Sequence, residues 1–254
     1  MRRLLLLSLL LLLPVPCWAA ISFVGSAENS AIDGADVTLT LPGGVLENDL
    51  VIVAYAIASG NNLAMDMITT GYTEVIDSYA NDSNDTNLGV YWKVMGGTPD
   101  TTAVVDGVGG TNNAVAAVCM VFRGVDTTTP MDVTPPTPTA TGNSNHPNPP
   151  SIDYLDAAAW VVIVGGSAHV QDTTSVTYTF PTGYTTNALE IAEIDNRDVT
   201  VGMGYDDTPA ADPEDPGVMT MSGTDAITNS AVGASLALRP AAAAGGARRV
   251  MVVN

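Results

Sequence analysis

The sequence predicts an all-β protein: a jelly-roll-like antiparallel β-sandwich made of two related halves, behind a cleaved N-terminal signal peptide. Three observations carry this expectation. First, the second half is a rough copy of the first. Asp49-Leu50-Val51-Ile52-Val53-Ala54-Tyr55 is echoed by Ala159-Trp160-Val161-Val162-Ile163-Val164-Gly165, Thr70-Gly71-Tyr72-Thr73 recurs as Thr182-Gly183-Tyr184-Thr185, and the apolar run from Asn113 to Arg123 recurs from Asn229 to Arg239. Segments that recur in the same order at similar spacing repeat a set of strands and turns rather than a short peptide. Second, the segments from Val37 to Leu41, Leu88 to Val94 and Val176 to Phe180 alternate at period two, as half-buried strands do. Third, threonine and valine are abundant, helix signals are nearly absent, and the 24 glycines and 16 prolines sit mostly between the strand-like runs.

From the N-terminus, Met1 to Ala19 reads as a signal peptide. Arg2 and Arg3 precede an almost pure leucine core, and Cys17-Trp18-Ala19 offers small residues at the cleavage positions. The core is too short to span a bilayer, and Pro16 before Cys17 argues against a lipid-anchored start. The expected mature chain is secreted, with no membrane span. Its sandwich covers 20–240, with halves at about 20–126 and 151–240.

Within each half, the runs from Leu50 to Ile57, Val115 to Phe122 and Trp160 to Val164 are apolar on both faces. Such runs are expected as central strands, covered on one side by the opposite sheet and on the other by loops or a neighbour. Cys119 lies inside one of them and is the single cysteine after leader removal, so no intrachain disulfide is available and Cys119 is expected to be buried and inert. Between the halves, residues 127–150 hold Thr134-Pro135-Pro136-Thr137-Pro138 and Pro147-Asn148-Pro149-Pro150. Prolines at this density favour extended, unpaired backbone, and a strap across one sandwich is preferred to a hinge between two domains. The last stretch, 241–254, is an Ala/Gly tether ending in Val250-Met251-Val252-Val253, an uncharged segment suited to strand addition on a neighbouring copy.

Charge excludes some partners. The leader takes with it two of the eight basic residues and no acidic one, leaving six against 27 and a formal net charge of −21. That field repels nucleic acid and anionic membranes and favours solubility.

Chemistry-bearing patterns are sparse. With His146 and His169 as the two histidines, neither a Cys119–His169 nucleophilic pair nor a zinc site has ligands on a shared strand. Glu193-Ile194-Asp195-Asn196-Arg197-Asp198 is similar to the Glu-x-Asp-x-x-Glu strand of laminarinase-like glycoside hydrolases, with Asp198 in place of the final Glu. That resemblance implies Glu193 as nucleophile and Asp198 as acid/base, a pair that must stand about 5–5.5 Å apart. Superposing the two Gly-Tyr-Thr turns sets this segment over Asp82 to Asn87, which reads as a loop. The acidic loop carrying Asp206, Asp207, Asp212 and Asp215 offers hard oxygen ligands, and calcium is the cation it would take, though the full EF-hand pattern is missing.

The corner Phe122-Arg123-Gly124-Val125-Asp126, the following Thr129-Pro130-Met131-Asp132 and the closing Leu236-Ala237-Leu238-Arg239-Pro240 resemble a broad group of duplicated-half β-sandwich proteins, found among bacterial secreted and phage virion-associated proteins. The likeness runs roughly from Val37 to Pro240; the leader departs from a virion protein. It implies a fold more than an activity. The expected function is that of a non-catalytic structural, assembly or adhesion protein of the cell exterior, partnered by copies of itself or other surface components. The alternatives are a polysaccharide-binding module with calcium in the acidic loops and Trp92, Tyr184 and Tyr205 lining a groove, and a hydrolase using Glu193 and Asp198.

Overall fold

A computed structural model describes residues 20–82, 84–142, 144, 146–169, 176–192, 197–222 and 230–242. The expected leader, Glu193 and the Val250 to Val253 segment lie outside the described residues. Among those described there is no helix. The strands are β1 (Ser22–Ala31), β2 (Val37–Thr40), β3 (Leu50–Ser59), β4 (Thr73–Ala80), β5 (Asp85–Val94), β6 (Thr102–Val105), β7 (Ala114–Arg123), β8 (Thr139–Thr141), β9 (Trp160–His169), β10 (Thr177–Thr179), β11 (Thr185–Ala192), β12 (Asp198–Asp206), β13 (Thr220–Ser222) and β14 (Ser230–Leu238).

Two antiparallel five-stranded sheets form the centre, in the orders β1-β7-β3-β5-β4 and β11-β12-β9-β14-β8; β2 pairs with β6 and β10 with β13 in two small outer sheets. A jelly roll weaves each half through both large sheets. Here the chain passes from one large sheet to the other once, through the connector. Of the three runs predicted to be central, β3 and β9 are each third of five and β7 is second.

Period-two alternation explains why these strands are apolar throughout. Leu50, Ile52, Ala54 and Ala56 of β3 join Val162, Val164, Val201, Met203, Val232 and Leu236 in a core between the large sheets. The intervening β3 residues Val51, Val53, Tyr55 and Ile57 face outward into a second core closed by Val37, Leu39, Ala103 and Val105 of the β2·β6 pair. Val161 and Ile163 of β9 likewise meet Tyr178 and Met221 in a third core beneath the β10·β13 pair. Every residue of β3 and of β14 is buried, because each strand is covered on both faces.

The proline connector crosses the second sheet as a strap. Met219 N donates to Pro147 O at 2.8 Å. A Cβ on Gly233 would fall 2.5 Å from Asn148 C and Pro149 N, so only glycine lets the strap lie this close. Three of the four edge strands of the large sheets, β1, β4 and β11, carry a register shift, between Phe23 and Gly25, Glu74 and Ile76, and Thr186 and Ala188. The fourth, β8, is three residues long. Bulges and short strands blunt an edge against pairing with another chain.

Candidate functional site

Buried polar chemistry concentrates at one end of the sandwich, where β3 and β9 finish and β5 and β12 begin. Ser59 stands opposite Asp85, and His169 opposite Asp198. Thr86 faces the other sheet and joins the two. Its hydroxyl donates to Ser230 O at 2.7 Å and accepts from Ala168 N at 2.7 Å. Ser230 Oγ donates to Asn84 O at 2.7 Å, and Asn84 Nδ2 donates to His169 O at 3.3 Å.

On the outer face of the second sheet, His169 Nε2 lies 3.0 Å from Thr200 Oγ1 and Nδ1 lies 3.8 Å from Asp198 Oδ2. Tyr178 covers them from β10 and donates to Thr200 O at 3.4 Å. Carboxylate, imidazole and hydroxyl stand in the order that activates a hydroxyl for acyl transfer. Access decides against that use: His169, Asp198 and Thr200 are 2%, 1% and 0% exposed. The corresponding register positions of the first half show the structural alternative. There Asn87 Oδ1 accepts from Leu63 N at 2.8 Å, and Asn87 Nδ2 donates to Ser59 Oγ at 3.0 Å and Asn61 O at 3.1 Å, so the polar pair anchors the loop after β3.

Sequence reasoning found His169 no partner on a shared strand; it is the last residue of β9, opposite Asp198. It also set Asp198 in a loop over Asn87, whereas Asp198 opens β12 as Asp85 opens β5. Thr200, Tyr178 and Thr86 were missed, since a lone hydroxyl in a strand carries no motif. Cys119 faces the outer core of the first sheet, 0% exposed, and burial pushes its thiol up to about 12, only partly offset by a hydrogen bond with the Ala27 backbone. With both large sheets between them, Cys119 and His169 do not form a pair.

The four aspartates named for calcium differ in exposure and in hydrogen-bond partners. Asp206 is buried and accepts from Thr208 N at 2.8 Å, Asp207 accepts from Thr208 Oγ1 at 3.4 Å, Asp212 accepts from Tyr154 N at 3.3 Å, and Asp215 is exposed. Among the described residues no three His, Cys, Asp or Glu side chains gather in a metal-holding group. The aromatics named for a sugar groove are divided between cores. Tyr205 stacks on Trp160 at 5.1 Å and 10°, and Trp92 packs on the same central core, while Tyr184 lies in the outer core of the second sheet.

At the opposite end of the sandwich each half closes with an arginine. Arg123 Nε donates to Asp49 Oδ1 and its Nη2 to Asp49 Oδ2, both at 2.8 Å, and Asp49 Oδ2 accepts from Leu46 N at 2.8 Å. Arg239 Nε donates to Asp132 Oδ1 at 3.0 Å, and Asp132 Oδ2 accepts from Leu155 N and Asp156 N. The two corners adjoin: Asp126 N donates to Arg239 O and Ala241 N to Gly124 O, each at 2.8 Å.

No protein-family model, curated protein or solved structure matches the chain.

Proposed function

We propose that the mature chain is a secreted, non-catalytic structural component of the cell exterior, serving assembly or adhesion and built by internal duplication. One observation carries the reading: the described basic side chains are engaged by the protein's own carboxylates and amides. Lys93, Arg123 and Arg239 pair with Asp100, Asp49 and Asp132 at 2.6, 2.8 and 3.0 Å, and the remaining described cation, Arg197, sits against Gly60 and Asn113. The excess charge is carboxylate, and the groups that carry reactions, Cys119, His169, Asp198 and Thr200, are buried in strands.

Duplication draws support from strand order. Setting β1, β3, β4, β5 and β7 on β8, β9, β11, β12 and β14 makes the order of the first sheet reproduce that of the second. The partners in this reading are further copies of the chain or other surface components, with Val250, Met251, Val252 and Val253 as the joining segment.

The test is recovery of the protein from the medium of the producing cells, with intact mass and light scattering on the chain with and without 241–254. Expected are cleavage after Ala19 and an assembled particle that the truncation dissociates. A full-length chain kept inside the cell, or a monomer at high concentration, would defeat the reading.

A further inference from the structure

We propose that the start of the connector is a latch, locked by Asp132 on Arg239, that opens independently of the two large sheets and uncovers the edge of β14. The proposal rests on the geometry of the corner and not on how the molecule assembles.

Three observations lead here. In the first half the arginine's carboxylate comes from the neighbouring strand: Leu50 pairs with Phe122, and Asp49 and Arg123 are the next residues outward. In the second half Trp160 pairs with Leu238, so Ala159 and Arg239 hold the same places, and no carboxylate stands there. Asp132 of the connector supplies it instead, reaching Arg239 Nε while its backbone carbonyl accepts from Nη2 at 2.9 Å; Arg239 Nη1 donates to Thr129 Oγ1 at 2.9 Å. One guanidinium therefore fastens the connector at three points.

Second, apart from Asp132 Oδ2, which also accepts from Leu155 N and Asp156 N, few hydrogen bonds fasten that stretch. Asp132 N donates to Ala237 O at 2.8 Å and Arg239 N to Pro130 O at 2.9 Å, and a single bridge joins Met131 to Leu238. A shallow, open recess lined by Thr129, Met131, Val133, Thr134, Pro135 and the ion pair exposes the outer side of the connector to solvent.

Third, what the strap covers differs between the halves. β7 is flanked by β1 along its whole length, from Ser22 opposite Arg123 to Ala31 opposite Val115. β14 has β8 beside only Ala231 to Gly233. Beyond Gly233 the connector caps the last edge groups of β14, Ala237 O and Arg239 N, so opening the latch frees these groups at the end of an apolar strand, the kind of edge that accepts another strand.

The experiment is limited thermolysin digestion with hydrogen exchange on the mature chain and its variants. Asp132→Ala should speed cleavage within residues 127–138, measured relative to the same bonds in the unfolded chain of each variant, at least about tenfold and raise exchange in 127–138 and 234–239, with 50–123 unchanged. Asp132→Asn, which keeps the shape, should do the same to a smaller extent and covers the case in which the alanine variant fails to fold. Adding Ala159→Asp to Asp132→Ala gives Arg239 a carboxylate from its own sheet. It should recover the melting temperature while leaving the connector open to protease. A connector as resistant in Asp132→Ala and Asp132→Asn as in the parent, exchange raised equally throughout the chain, or a double variant with its connector protected again would each overturn the latch.

Discussion

Phe122 meets Trp160 edge to face, ring centroids 6.1 Å apart and planes at 86°, joining the end of β7 in one large sheet to the start of β9 in the other. Tyr205 completes the contact, 5.8 Å from Phe122 at 89° and stacked on Trp160. Phe122 is 0% exposed. Its replacement by alanine opens a cavity shared by both sheets, and Phe122→Ala should lower unfolding free energy by about 3–5 kcal/mol in urea titration. A loss below 1 kcal/mol, on the order of a surface change, would mean the two sheets do not depend on this contact.

Thr86 is the polar counterpart at the other end. Thr86→Val keeps the shape and removes the hydroxyl that serves Ala168 N, Ser230 O and Ser230 Oγ. Leaving a buried amide unpaired costs about 1–3 kcal/mol, and hydrogen exchange at the Ala168 amide should rise with it. Unchanged protection of Ala168 would show that another group serves this amide.

Two carboxylates predict opposite pH trends. Burial, with Asp206 and Asp215 adding to it, holds the Glu214 carboxyl above the usual range. A raised folded-state value gives stability below the unfolded-state value, lost as pH rises through the folded one. Glu214→Gln should therefore raise the melting temperature at neutral pH and change little in acid. Asp126 is held low, first by the Thr129 amide, then by the Thr128 amide and Arg239. Its contribution is present above the unfolded-state value and disappears as pH falls through the folded one, so Asp126→Asn should lower the melt at neutral pH and converge with the parent in acid. Scanning calorimetry from pH 3 to 8 checks both signs.

Cys119 should stay unlabelled by a thiol reagent at pH 8 without denaturant, because burial holds the thiol protonated and the strand pairs block approach. Rapid labelling would place β7 at the surface.

Much of the fold was legible because strands buried on both faces leave uninterrupted apolar runs. Leu50 to Ile57 and Val115 to Phe122 were read as central strands from composition alone, and β2 and β5 from alternation. The outer layers were half visible. β10 lies inside the alternating Val176 to Phe180 run, but its partner β13 is three residues long, too short for a period to register, and far away in sequence. Of the polar end, His169 and Asp198 were noticed as residue types, but their company was not. Thr86, Asn84 and Ser230 come together across as many as 146 positions, a juxtaposition that only strand order creates. The clasp of Asp132 on Arg239 was hidden for the same reason: the repeat suggests Ala159 as the partner position, and the carboxylate comes from outside the repeat.

The bulges in β1, β4 and β11 change what kind of solvent the molecule tolerates. Repulsion between carboxylates fades in brine, where the screening length shrinks to about 3 Å at molar salt. A displaced register does not fade, because it mismatches donors and acceptors by geometry. A chain with one lysine thus keeps three of its large-sheet edges closed by shape, in media where charge alone would let neighbouring molecules zip together.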